Sequence, residues 1–201
     1  MIACALAASA VLAGAAPQKT PAKPPAKRAS TAFTCAADLG TGVESRRRFC
    51  DVIVASVAAD SVSVAIPPHT GAATLSFDLH NRFTVPAGQV GAGQAFTRHV
   101  ALAAVIKQTG DVIDRAAVTR DYRTPADLFD RIVGGGRGTP PKAIAPGAPQ
   151  PVRVTIPAGI SVIGIVGTRL EEWRGSGRAA FDSPGRPIAI VSNVRVEYTP
   201  R

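Results

Sequence analysis

Apolar residues at every second position restrict the fold of this chain more than any other feature. In "ATLSFDLHNRF", Leu75, Phe77 and Leu79 alternate with Ser76, Asp78 and His80. Side chains of a strand point alternately to opposite faces, so this period buries one face and leaves the other polar. Val-rich, partly alternating runs precede it in "FCDVIVASV" and "DSVSVAI". "AFTRHVALAAVIKQ" and "DVIDRAAVTRDY" follow on either side of Thr109-Gly110, which suits a tight hairpin turn. A two-residue turn there sets Ile106 against Ile113, unless a bulge shifts the register.

The C-terminal part returns to the same pattern in "PVRVTIP", "ISVIGIVGTRLEEW" and "RPIAIVSNVRVEYTP". So short a segment buries too little core to fold alone. It therefore completes the sheets begun upstream, and residues 32–201 form a single domain. Many short strands with turn signals between them predict a mainly β fold, an antiparallel β-sandwich of immunoglobulin-like or jelly-roll arrangement. One helix interrupts the strands near 125–133. In "RTPADLFDRIVGGG", Thr124 suits the N-cap, Pro125 the first turn and Asp127 the positive end of the dipole, and Gly134 ends it. The stretch 134–151, "GGGRGTPPKAIAPGAPQP", is too rich in Gly and Pro for regular structure and is expected to be a flexible loop.

The N-terminus bears on compartment. "MIACALAASAVLAGA" is apolar and ends in small residues, and Ala13-Gly14-Ala15 fits a signal-peptidase site. Residues 1–15 are read as a signal peptide, although no basic residue precedes the run. The run is shorter than the roughly 20 residues that cross a bilayer, so no transmembrane span is expected in the mature chain. Cys4 weakly suggests a lipidation box, but it sits at the wrong end of the run. Residues 16–31 are Pro-, Lys- and Ala-rich and read as a disordered tether. The mature chain then keeps two cysteines, Cys35 and Cys50, and an even pair in an exported chain predicts a disulfide. Together these features place the protein outside the cytoplasm, secreted or periplasmic.

Charge adds less. The formal net charge is +9, but Lys19, Lys23, Lys27 and Arg28 take four of the nine, leaving +5 for the rest. Aromatic residues are only 5%, too few to supply the stacking that accompanies basic nucleic-acid surfaces, and no nucleic-acid partner is expected. Partners of an exported sandwich would be an envelope polymer, a glycan or another protein.

Candidates for chemistry are few. His69, His80 and His99 lack the i, i+4 spacing with an adjacent Glu that marks a zinc protease, and no nucleophile-elbow motif is present. "GGGRG" follows the predicted helix and runs into prolines, unlike a phosphate loop. Asp78 and His80 share a strand face about 7 Å apart, and with His99 they form the best metal-ligand candidate. Trp173 with Arg174 is the best sugar-stacking candidate. The run Arg46, Arg47, Arg48 could meet anionic groups, or simply be a solvated face. Glu171 and Glu172 are adjacent, so on a strand they face opposite ways. No cofactor is expected. The leading expectation is a non-enzymatic envelope or interaction module. A carbohydrate-binding module and a hydrolase with its site near Asp78 and His80 are the alternatives.

Overall fold

A computed structural model describes residues 25–83, 97–120, 125–133, 145–182, 185 and 187–201. The expected signal peptide, most of the expected tether and the 134–144 part of the expected loop lie outside these residues. The described strands are β1 (Lys27–Ser30), β2 (Phe33–Thr34), β3 (Ala37–Gly42), β4 (Arg48–Asp51), β5 (Val62–Ala65), β6 (Ala73–Asn81) and β7 (Thr97–Lys107). They continue as β8 (Val112–Arg120), β9 (Ile132–Val133), β10 (Gln150–Ile156), β11 (Val162–Arg174), β12 (Gly177–Ala180) and β13 (Ala189–Tyr198). The first sheet runs β10-β6-β13-β4-β3-β9, with β1 also on β13. The second runs β2-β5-β11-β7-β8, with β12 also on β11. Every pairing between named strands is antiparallel, and the two sheets make a β-sandwich.

The period-two pattern accounts for the core. Leu75, Phe77 and Leu79 of β6 are buried, while Thr74, Ser76 and Asp78 between them are half-buried. They join Val191 and Val196 of the first sheet and Val62, Val64, Ile163 and Ile165 of the second in one apolar cluster. Each such side chain, moved from water to a full burial site, contributes about 1.5–3 kcal/mol before the entropy of ordering is subtracted. Among the described residues no helix is long and apolar enough to cross a membrane.

Three local features depart from the sequence reading, and a fourth, the hairpin, takes the bulged form that reading allowed. The helix near 125–133 is a single 3-10 turn, Pro125–Asp127. Leu128 then bridges Gly147, and the Phe129 N–H donates to the Pro146 carbonyl, so the chain is drawn out as an edge strand instead of coiling. In the hairpin, Gly110 takes the left-handed turn position at φ 93°, but Ile106 faces Val112, not Ile113. The register shifts between Val105 and Ile106, so Ile113 is the extra residue of a bulge. The end of the expected tether, Lys27–Ser30, is ordered as β1 against β13. The end of the expected loop is also structured: Ala145 accepts from the Phe83 N–H, Gly147 donates to the Asn81 carbonyl, and Gln150 begins β10.

These contacts roof one end of the first sheet. Residues 125–131 and 145–149 lie over part of its outer face. Beneath them Leu39, Phe49, Ile132 and Ile190 form a second apolar cluster, with Phe129 packed on it. The sheet is thus covered on both sides at this end and polar only beyond it.

Candidate functional site

The histidine–aspartate pair of β6 falls under that cover. His80 is completely buried, with its ring against Phe49 at 5.7 Å and Phe129 at 5.1 Å. Its Nδ1 lies 2.8 Å from the Gly147 carbonyl, which can only accept, so Nδ1 carries the proton. Nε2 then accepts from the Ser192 hydroxyl at 2.9 Å. Asp78 turns away from it: Oδ2 accepts from Arg47 Nη1 at 2.7 Å and Asn193 Nδ2 at 3.0 Å. His99 is on β7 of the other sheet, buried, 3.9 Å from Glu172 Oε1. Asp78, His80 and His99 therefore do not converge. Among the described residues no group of three or more His, Cys, Asp or Glu side chains could hold a metal ion.

Trp173 and Arg174 are separated by the same alternation that separates Glu171 from Glu172. A bulge between Gly167 and Arg169 shifts the phase of β11, so Leu170 and Glu172 follow Ile163 and Ile165 inward. On the outer face Glu171 accepts from Arg169 Nε at 2.9 Å and from Trp173 Nε1 at 2.8 Å, with Arg178 at 3.5 Å. The Arg169 hydrogen bond holds its carboxyl below the usual carboxylate range against the effect of burial, and the Trp173 bond and the charges of Arg169 and Arg178 add to it. The Trp173 ring carries the Arg178 guanidinium over one face at 5.7 Å, so part of the stacking surface is already occupied. Arg174 instead pairs with Glu172 at 2.6 Å and lines a cleft of about 300 Å³ with Arg178 and Phe181.

The arginine run lies in a different setting. Where β4 leaves the side of β13 and β1 takes its place, a cleft of about 400 Å³ opens, lined by Ala29, Phe33, Arg46, Arg47, Arg48, Asn193, Val194 and Arg195. The three arginines stand together in the sequence, whereas Arg195 and Asn193 join them only in the fold. A signal existed: Asn tolerates a left-handed backbone, and Asn193 (φ 55°) sits in the bulge between Ser192 and Arg195 of β13. Two of the four cations are neutralised locally. Arg47 pairs with Asp78 and lies over the Phe129 ring at 5.2 Å. Arg48 pairs with Asp38 at 2.7 Å and lies over the Phe33 ring at 5.5 Å. The side chains of Arg46 and Arg195 are exposed and have no ion-pair or hydrogen-bond partner among the described residues.

Comparison with protein-family models, with curated proteins and with solved structures gives no match. The site is therefore read from its own geometry alone.

Asp130, which the sequence reading passed over, holds the turn that presents the arginines. It accepts from the backbone N–H groups of Glu44 at 3.1 Å, Ser45 at 2.9 Å and Arg131 at 2.7 Å. Burial pushes its carboxyl up, but these bonds and the Ser45 hydroxyl outweigh burial and hold it below the usual range. Gly42 makes room for it: a Cβ there would stand 2.2 Å from Asp130 Oδ2 and 2.9 Å from the Phe49 ring. The turn so pinned carries Arg46 in the left-handed region (φ 56°), a conformation non-glycine residues rarely adopt.

Asp130→Asn is expected to cost about 2 kcal/mol near neutral pH, since an amide replaces a charged acceptor of several N–H groups. The sign with pH follows from the lowered carboxyl. The stabilisation is present above the unfolded value of 3.8 and is lost as pH falls through the lower folded value. Urea unfolding of both proteins at neutral and acid pH measures this, and the gap should narrow as pH falls through the lowered folded value.

Asp51 is the other buried carboxyl that sequence reasoning missed. It is 3% exposed, Oδ2 has no partner, and burial pushes its carboxyl up to about 6 against the bond from the Gly185 backbone. It pairs in the ladder with Ile190 and Ala37, away from the arginine cleft.

Proposed function

We propose that the protein is a non-enzymatic binding module of the extracytoplasmic space, presenting the arginine cleft to an envelope component. One observation carries this reading. The candidate side chains His80, Asp78 and Glu172 are spent on holding the fold, while two cations at the cleft face solvent without a partner among the described residues. His80 is tied to Gly147 and Ser192, Asp78 to Arg47, and Glu172 to Arg174. Among the described residues no nucleophile stands beside an imidazole in the way acyl or phosphoryl transfer requires, save the Ser192 hydroxyl, which is fully buried. The Cys35–Cys50 disulfide, with Cα atoms 5.5 Å apart, supports an oxidising compartment. The carbohydrate alternative draws less support, because Trp173 is committed through its Nε1 to Glu171 and through its face to Arg178.

The test is expression of the whole chain in a bacterial host, followed by fractionation, intact mass and thiol alkylation. The expected product is extracytoplasmic, cleaved near Ala16, and unreactive at Cys35 and Cys50. A cytosolic product with free thiols would remove the compartment argument. Turnover in a screen of esterase, phosphatase and glycosidase substrates would remove the non-enzymatic one.

A further inference from the structure

We infer that the arginine cleft is a binding site for a terminal phosphoryl group, a phosphate monoester on a sugar-sized carrier. The inference rests on the reading of the protein as a binding module and names the chemistry of its ligand.

Charge decides between oxyanions. Arg47 and Arg48 are each matched one-to-one, by Asp78 and Asp38. Arg46 and Arg195 leave the cleft with two positive charges that no acid among the described residues compensates. A carboxylate would neutralise only one of them. A phosphate monoester carries about −1.5 to −2 at neutral pH and offers three acceptor oxygens, so it matches both and can take two guanidinium forks.

The cleft is also larger than an inorganic anion needs. At about 400 Å³ it falls within the range of roughly 300–1,000 Å³ that accommodates small organic ligands. Its wall is not uniformly polar, because Ala29, Phe33 and Val194 line it beside the arginines. An ester would set its phosphoryl group between Arg46 and Arg195 and its carbon body against these apolar side chains.

The two free arginines are placed, not merely exposed. Arg46 is held in its left-handed backbone by a turn that Asp130 anchors from another part of the chain. Arg195 follows the Asn193 bulge, which also binds Asp78 and so ties the two sides of the cleft together. The Arg47 guanidinium, fixed by Asp78 and by Phe129, and that of Arg48, fixed by Asp38 and Phe33, wall the site rather than close it. Two free cations on fixed backbone lower the ordering cost of binding, which is what distinguishes a site from a mobile basic surface.

The experiment is calorimetric titration of the full chain with glucose 6-phosphate, inorganic phosphate and glucuronate at low salt, repeated at physiological salt. The phosphate ester is expected to bind saturably with one site, at least tenfold tighter than glucuronate, and several-fold more weakly at the higher salt. Arg46→Asn with Arg195→Gln should weaken it at least tenfold. Asn keeps the left-handed backbone of the turn, and an unchanged melting temperature shows that the fold is intact. The Arg46→Lys, Arg195→Lys variant keeps the charge but loses the planar fork, and should bind between the two. Inorganic phosphate binding as tightly as the ester would keep the phosphoryl site and assign it to the free anion. No saturable binding by any phosphate, or equal binding by the Asn/Gln variant, overturns the site while leaving the binding-module reading in place. Release of phosphate from the ester would do the reverse.

Discussion

Asp51→Asn is expected to stabilise the protein by about 2 kcal/mol at about pH 7.5, the opposite sign from most changes to a buried residue. Its carboxyl titrates near 3.8 when unfolded and at about 6 when folded. Below the lower value both states hold the proton and the group contributes nothing. Between the two values the unfolded chain releases its proton while the folded chain keeps it, so stability falls as pH rises. Above the folded value the whole cost remains, about 3 kcal/mol at 1.36 kcal/mol per pKa unit. An amide carries no charge and escapes that cost, although its Nδ2 inherits the place where Asp51 Oδ2 has no partner. An unsatisfied donor returns about 1 kcal/mol of the gain. Urea unfolding at about pH 3.5 and pH 7.5 separates the terms, with the advantage of the variant present only at the higher pH. A variant no more stable than the natural protein at the higher pH would show that Asp51 is solvated or paired when charged.

Replacing both Cys35 and Cys50 with Ala should cost about 3–5 kcal/mol. The crosslink closes a loop of 15 residues, and releasing it restores about 3 kcal/mol of chain entropy to the unfolded state. Cys50 is also fully buried in the central cluster with Cys35 packed beside it, so the truncated pair leaves a small apolar gap. For a chain of this size the melting temperature should fall by roughly 6–20 °C. Dithiothreitol should bring the natural protein down by most of that amount and leave the variant unmoved. A reductant-insensitive natural protein would mean that the sheets, not the crosslink, fix β4.

Much of the fold was legible because the signal for it is local. Leu75, Phe77 and Leu79 announce their own strand, and Glu171 and Glu172 announce opposite faces, whatever else the chain does. The helix near 125–133 failed because its cues were also local and were outweighed. Thr124, Pro125 and Asp127 favour a helical start, yet Leu128 and Phe129 gain bridge and hydrogen-bond partners from 146–147 that a helix would forfeit. His80 was placed on a polar outer face for a related reason. The strand parity was right, but the Phe129 and Gly147 that cover it come from segments far along the chain. The arginine cleft divides the same way. "RRR" is visible in the sequence, whereas its union with Arg195 depends on where β13 lies in the sheet, which no periodicity reports.

The short strand β1 has a mechanical consequence. Lys27 lies opposite Tyr198 and Ser30 opposite Arg195, so the two outer ends of this ladder lie side by side. Tension between these two points loads the β1–β13 ladder one pair at a time, as a zipper opens, and does not shear all its hydrogen bonds together. Such a ladder yields at low force. The two-residue β2 comes next, and then the pull reaches Cys35, which is bonded to Cys50 in β4. There the load passes through a covalent bond into the first sheet, and residues 36–49, including the arginine turn, are shielded from it. A tethered copy of this protein would therefore lengthen at its N-terminal side under strain, losing the Ala29 and Phe33 side of the cleft while the arginine turn keeps its place.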